Sequence, residues 1–387
     1  MSISTEYSID ESTERESPAK SETSGVQIDE LLELAVNKGA TDLHLKVPCP
    51  PVLRIDGTLV RQEDFLPLTP EDIQSIFTQI TSHDQKMSYE KQRELDFAYS
   101  VSGLARFRVS ALQQRGTISL AFRLVPINTP TIDELGLPDI CRELIRKPRG
   151  LILVTGPAGS GKSTTLAAMI NYLNENESRS IITIEDPIEY LFRDAKCVIR
   201  QRDIGDDTES FHTALVHALR HDPDVIVIGE MRDIDTVRIA ITAAETGHLV
   251  LATLHTVDAA QSIDRIIDLF PSEQQRQIRL QLSQVIEAVL SQALLPCIGG
   301  GRIAAFEVML ATSVIRRLVR EEKIFDILPN IEMGKLEGMQ SLDQALAYLV
   351  NRNVVDKEEA FIRSSNPVKL QQLLQSQVTS YAFEHQS

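Results

Sequence analysis

Leu151-Ile-Leu-Val-Thr-Gly156-Pro157-Ala158-Gly159-Ser160-Gly161-Lys162-Ser163-Thr164 is the stretch whose reading decides the fold. It opens on an apolar, branched run that has the character of a buried strand, and it runs into Leu166, Ala167, Met169, Ile170 and Leu173 at helical spacing. Between the two stands G-x-x-x-x-G-K-S, so the order is strand, phosphate-binding loop, helix. Gly156, Gly159 and Gly161 let backbone N–H groups close around a polyphosphate without Cβ clashes, and the helix starting near Lys162 adds its positive end. Lys162 then reaches the β- and γ-phosphates while the Ser163 hydroxyl takes a place on Mg²⁺. Gly156 to Thr164 is therefore the expected ATP-binding set, with ATP and Mg²⁺ as the ligands.

Working outward, segments rich in branched residues alternate with helical ones, as in an α/β fold with a largely parallel sheet. Strands are expected at Ser180 to Ile184, Asp224 to Ile228 and His248 to Leu254, with helices at Asp207 to His221 and Asp233 to Thr246. Helices are expected to dominate from there on. Hydrolysis needs carboxylates at strand ends beside the loop, and three stand there: Glu185 and Glu189 after one strand, and Glu230 after another. Gly229 occupies the place where a common P-loop protein carries Asp, so Glu230 is assigned to the Mg²⁺ shell through water and the general base is sought within 185–189. His255, at the carboxyl end of its strand, is where ligands of open α/β sheets collect and is read as a γ-phosphate sensor. His248, at the start of that strand, needs an adjacent subunit or loop to reach the nucleotide.

Ahead of this lies a smaller domain, residues 26–126, with mixed signals. Ile28, Leu31, Leu32, Leu34 and Ala35 sit at helical spacing, Asp56-Gly57 marks a hairpin, and Pro70 to about Arg93 reads as helix. Three alternating segments follow, with Arg106, Arg108 and Arg123 on or beside strands. Residues 127–138, with their prolines, read as a linker, 139–367 as the catalytic domain, 368–387 as a tail and 1–25 as a disordered acidic tail.

The 387 residues carry a formal net charge of −16, with 42% apolar and 24% charged residues. That balance suits a soluble globular protein and disfavours nucleic acid or an anionic membrane as partners. Cys49, Cys141, Cys197 and Cys297 are scattered without a C-x-x-C pair, which indicates neither a disulfide framework nor a zinc site and suits a reducing cytoplasm. No apolar run approaches the roughly eighteen residues of a membrane span.

GPAGSGKSTT, ITIEDPIEY, HDPDVIVIGEMRD and TGHLVLATLHTVDA together resemble the secretion and pilus motor ATPases, and within them the type IV pilus retraction (PilT) group. The resemblance covers roughly Val26 to Pro367. It implies a RecA-like ATPase domain preceded by a PAS-like α+β domain, and it makes the last glutamate of the acidic segment, Glu189, the general base. It implies an atypical Walker B glutamate at Glu230 and a histidine box at His248 and His255. It also implies a homohexamer in which Arg106, Arg108 and Arg123 complete the ring's nucleotide sites. Such motors stand in the cytoplasm, peripheral to the inner membrane at the pilus base, against a platform protein of that membrane. A long extra N-terminal domain and a tetracysteine module, both usual in extension and type II secretion motors, are absent, which favours the retraction side.

The segment Val314 to Lys323 resembles the Ala-Ile-Arg-Asn-Leu-Ile-Arg-Glu motif of retraction motors, with Val314, Arg317 and Val319 departing from it. Ile315, Leu318 and Val319 form an apolar stripe expected to dock on the core, while Arg316 and Arg320, four apart, are expected to face an acidic partner as a coupling helix. An accessory retraction ATPase and a regulatory ring that binds ATP without working as a motor remain as alternatives. Lys162→Ala is expected to abolish ATP hydrolysis, because no other side chain of the loop neutralises the β/γ-phosphates. Hydrolysis at the wild-type rate by the purified variant would reject the loop assignment.

Overall fold

A computed structural model describes residues 27–55, 57–126 and 128–384, with side chains to 375. The acidic segment 1–25 and Asp56 of the expected turn lie outside the described residues. The chain divides into two compact units, Met1–Leu124 and Val125–Ser387.

The first unit carries strands β1 (Asp42–Leu45), β2 (Val52–Ile55), β3 (Thr58–Arg61), β4 (Glu94–Val101), β5 (Ala105–Gln114) and β6 (Thr117–Val125) in the order β3-β2-β1-β6-β5-β4. Period-two alternation puts Ala105, Phe107, Val109 and Ala111 of β5 into a core shared with Leu31, Leu32, Ile73 and Ile76 from helices Ile28–Asn37 and Pro70–Ile80. Arg106 and Arg108, between those core residues on β5, take the other face. The stretch expected as one helix from Pro70 is two, Pro70–Ile80 and His83–Gln92. Each has its own capping box, Thr69 with Asp72 and Ser82 with Gln85, so the second set of caps ends the first helix.

The second unit is built on β7 (Gly150–Thr155), β8 (Ser180–Glu185), β9 (Val198–Asp203), β10 (Val225–Ile228), β11 (Leu249–Leu254), β12 (Ile286–Pro296) and β13 (Arg302–Leu310), ordered β13-β12-β7-β11-β10-β8-β9. All neighbours are parallel except β12 with β13. Both faces are covered, so β7, β10 and β11 are buried along their whole length. Helices Ile234–Glu245 and Ala259–Asp268 pack on one face, and Lys162–Asn176 on the other.

The second unit departs from the sequence expectations in several places. Helices dominate after β11 as expected, but β12 and β13 interrupt them and add two strands to the sheet that the sequence reading did not place. Their alanines favour helix, but pairing with β7 overrides that, and Gly299, Gly300 and Gly301, at φ 92°, 106° and 79°, turn the chain into a hairpin. Within the expected linker, Ile132 and Leu137 are buried in the core beside Leu144 and Leu173. The expected tail is helical over Pro367–Glu384, and its Leu370 and Leu374 pack with Leu346 and Leu349.

A further departure concerns helix Ser313–Arg320. Ile315, Leu318 and Val319 are buried as the stripe requires, but Arg316 turns inward. Its guanidinium donates to the carbonyls of Ala311, Ser283 and Gln284 at 2.9, 3.1 and 2.8 Å and pairs with Glu287 at 2.7 Å. It thus satisfies the carbonyl end of helix Ser272–Val285, and only Arg320 of the two arginines is exposed. Arg316→Ala is expected to lower unfolding free energy by about 1–3 kcal/mol, because it strands partly buried acceptors. Arg320→Ala is expected to stay within about 0.5 kcal/mol of wild type. Urea titration of both variants measures this, and equal midpoints would contradict it.

Candidate active site

Because β7, β8, β10 and β11 run parallel and in register, their carboxyl ends reach one rim. Thr155 lies opposite Leu254, and Ile228 opposite both Ala252 and Ile184. The residues that follow are Gly156, His255, Gly229-Glu230 and Glu185-Asp186, so the sheet gathers most of the chemistry the sequence singles out.

The loop has a closed floor and an open lip. Gly156 and Ser160 are buried, while Pro157, Ala158 and Gly159 are exposed. Gly156 has φ 144°, and a Cβ there would meet the Gln292 carbonyl oxygen at 2.4 Å, so no other residue fits. Gly161 has φ 93° and no side chain to cap helix Lys162–Asn176, which leaves the first N–H groups of that helix for a ligand. This geometry fits a polyphosphate.

Lys162 Nζ donates to the carbonyls of Gly156 and Pro157 at 2.9 and 3.0 Å and stands 3.5 Å from His255 Nδ1. The other ring nitrogen, Nε2, is 3.1 Å from Glu230 Oε1, and Glu230 Oε2 pairs with Arg232 at 2.6 Å. An ammonium facing Nδ1 and a carboxylate facing Nε2 select the tautomer protonated at Nε2. Burial lowers the Lys162 pKa, opposed by Glu230 and Glu189. Burial raises that of Glu230, but the Arg232 hydrogen bond and His255 outweigh it and hold the carboxyl below its ordinary range. Both Glu230 oxygens are thus engaged, one by Arg232 and one by His255.

Glu185 and Glu189 differ sharply. Glu185 accepts from Thr183 at 2.6 Å, from Gln201 at 3.2 Å and from the Glu189 N–H at 3.3 Å, and burial raises its pKa. Glu189 is exposed, and the hydroxyl of the next residue, Tyr190, meets Thr164 Oγ1 of the loop helix at 3.0 Å. The acidic segment is thereby tied to the phosphate loop with Glu189 free. Gly229 also has a physical reason: a Cβ there would sit 3.1 Å from the Ile184 carbonyl and 3.2 Å from Glu185 Cα.

Not all expected residues converge. His248 lies at the opposite end of β11, seven residues from His255, which is about 23 Å of strand. Its Nδ1 is 3.0 Å from the Ala243 carbonyl and 3.3 Å from Thr246 Oγ1. In the first unit Arg123 pairs with Asp42 at 2.9 Å, and Arg54 approaches the same carboxylate at 3.7 Å. Burial works to raise the Asp42 pKa, but Thr41 and Arg123 bring it below its ordinary value. Arg108 is exposed and Arg106 half-buried.

Three functional residues escaped the sequence reading. Gln292 of β12 donates from Nε2 to the Ser160 carbonyl at 2.6 Å, and Ser291 receives the Thr155 hydroxyl at 2.9 Å, so the hairpin strand braces the loop from beneath. Their distance from the loop in sequence and the helical expectation for this segment hid both. Arg232 had a visible signal, a basic residue two positions after Glu230.

The family model described as Type II/IV secretion system protein matches residues 26–333. A type IV pilus retraction ATPase, PilT, of Pseudomonas aeruginosa is 45% identical over 342 residues, covering 88% of this chain and 99% of that protein. A twitching motility protein of Neisseria gonorrhoeae is 43% identical, covering 82% of this chain and 85% of its own. The crystal structure of the pilus retraction motor PilT with bound ADP superposes with a TM-score of 0.84 at 45% identity, covering 90% and 99% of the two chains.

Gln292→Ala is expected to weaken ADP affinity roughly 5- to 30-fold, since the lost hydrogen bond leaves the buried Ser160 carbonyl without its donor. Isothermal titration on a folded variant checks this. Unchanged affinity would contradict the bracing role.

Proposed function

We propose, on the premise that this chain belongs to the Type II/IV secretion system protein family, that it is an ATPase motor driving retraction of type IV pili. The observation that carries the reading is the contact line Lys162, His255, Glu230, Arg232 at the rim of the parallel sheet. Near full-length similarity to retraction ATPases supports the direction of the motor.

The backbone N–H groups from Gly159 to Thr164 bind the phosphates, and Lys162 exchanges the Gly156 and Pro157 carbonyls for β- and γ-oxygens. Mg²⁺, held by the Ser163 hydroxyl and through water by Glu230, would supply charge neutralisation at those oxygens. Glu189 accepts the proton of the attacking water, because it is an exposed carboxylate carried beside the loop by the Tyr190–Thr164 contact, whereas Glu185 is committed to Thr183 and Gln201. His255 stands between Lys162 and Glu230, so movement of Lys162 toward a γ-phosphate vacates the partner of Nδ1. The ring then senses whether that phosphate is present.

The working form is a homohexamer. His248, remote from its own loop, and Arg106, Arg108 and Arg123 act on neighbouring protomers in this reading. No helix among the described residues is long and apolar enough to cross a membrane. In this reading the motor acts from the cytoplasmic face on a platform protein of the inner membrane, with Arg320 as an exposed basic group of the coupling helix beside exposed Arg317.

Glu189→Gln is expected to bind ATP normally and to hydrolyse it roughly 10²- to 10⁴-fold more slowly, since an amide keeps the shape but takes no proton. Loss of turnover in Glu185→Gln with normal turnover in Glu189→Gln would move the base. Light scattering with ATP and Mg²⁺ at micromolar protein is expected to give a hexamer, and a monomer would contradict the ring. Arg108→Ala is the cleaner probe of action in trans, because removing Arg123 also deprives the buried Asp42 of its nearest cation. Its turnover is expected to fall with the melting temperature unchanged, and normal turnover would remove Arg108 from the site.

A further inference from the structure

One buried carboxylate, Glu307, lies outside the mechanism just described, two strands over from the phosphate-loop strand. Glu307 of β13 is 3% exposed and sits across the ladder from Ser291, which lies opposite Thr155 and receives its hydroxyl. Thr155, Ser291 and Glu307 thus form a polar row over three adjacent strands in an otherwise apolar sheet, starting at the residue before Gly156. Glu307 Oε1 accepts the N–H of Ala259 at 2.8 Å, and the Leu342 N–H faces the same carboxylate and favours its charged form; next to it the backbones of Val308 and Gln340 exchange hydrogen bonds at 2.8 and 3.2 Å. Ala259 and Leu342 are the first residues of helices Ala259–Asp268 and Leu342–Asn351.

Each helix start is itself tied to something that matters. The first follows His255 by three residues, and the loop between is folded onto it: Thr256 Oγ1 meets Ser262 Oγ at 2.6 Å, and Asp258 accepts from the Gln261 N–H at 2.7 Å. The short segment after His255 is thus pinned to the first turn of that helix. The second helix carries buried Asp343, which accepts from the Ser364 and Ser365 hydroxyls and the Asn366 N–H at 2.5, 3.0 and 3.0 Å, just ahead of helix Pro367–Glu384. Burial pushes the Glu307 carboxyl up to about 7, Asp258 and Asp343 add to this, and the two N–H donors pull it back. So costly a group is kept inside only where its hydrogen bonds hold something in place.

We propose that Glu307 is a positioning residue that joins the His255 helix to the C-terminal helices, so that occupation of the nucleotide site is transmitted through this carboxylate to residues 341–374. The inference rests on the ATPase reading above and adds the route by which that site reaches the other end of its unit.

Hydrogen–deuterium exchange on the full chain, with and without a non-hydrolysable ATP analogue and Mg²⁺, tests it. In the wild type the analogue is expected to slow exchange at 156–165 and also at 341–352 and 364–374. In Glu307→Met the slowing at 156–165 is expected to persist and the C-terminal slowing to vanish. Leu342→Pro is expected to give the same result. It leaves the Ala259 bond intact and removes the second N–H together with part of the Leu342 packing, at a first helical position where proline is tolerated. A merely structural role would change exchange equally with and without nucleotide. C-terminal slowing that survives in either folded variant overturns the proposal, as does a wild type protected at 156–165 but never at 341–374. A wild type protected nowhere would instead overturn the nucleotide site itself.

Discussion

The parallel register of β7 with its neighbours is the constraint on which the rest depends. A sheet covered by helices on both faces admits few polar side chains along its strands, so chemistry is confined to strand ends, and parallel pairing sends those ends to the same rim. The polar side chains inside the strands obey the same rule. Thr253 donates to the Gly229 carbonyl, Thr183 to Glu185 and Thr155 to Ser291, each pinning the end of a strand that bears a functional group. A slip of β11 by one residue against β7 would turn its side chains to the other face and carry His255 away from Lys162.

Charge along the rim is arranged rather than accumulated. Cationic Lys162, the His255 ring, anionic Glu230 and cationic Arg232 succeed one another at hydrogen-bonding distance, so each group is oriented by the next. That arrangement engages Glu230 and leaves Glu189 exposed beside the loop. It also leaves Lys162 held by two carbonyls, which are weaker partners for an ammonium than phosphate oxygens. The resting geometry thereby favours exchange on binding.

The parts of this site written in local sequence were legible, and those made by distant contact were not. Glycine spacing specifies the loop because φ 144° at Gly156 and φ 93° at Gly161 exclude other residues wherever the chain goes. Carboxylates after branched runs announce strand ends for the same local reason. Gln292 reaches Ser160 across 132 residues, and nothing near either one records that meeting. The hairpin bearing Gln292 was hidden by its alanines, although three successive glycines marked its turn. At Arg316 the helical period correctly gave the buried stripe, but whether a flanking arginine faces solvent or a helix end depends on Ser283, Gln284 and Glu287, about thirty residues away. The split of helix 70–93, by contrast, was present in the sequence as two capping boxes.

The central claim is that this ATPase works by removing pili rather than building them. Deleting its gene in the source organism and counting surface pili by electron microscopy, with twitching scored on agar, addresses that claim most directly. Retraction predicts abundant pili on cells that do not twitch. Bare cells would contradict it and make the protein an assembly motor.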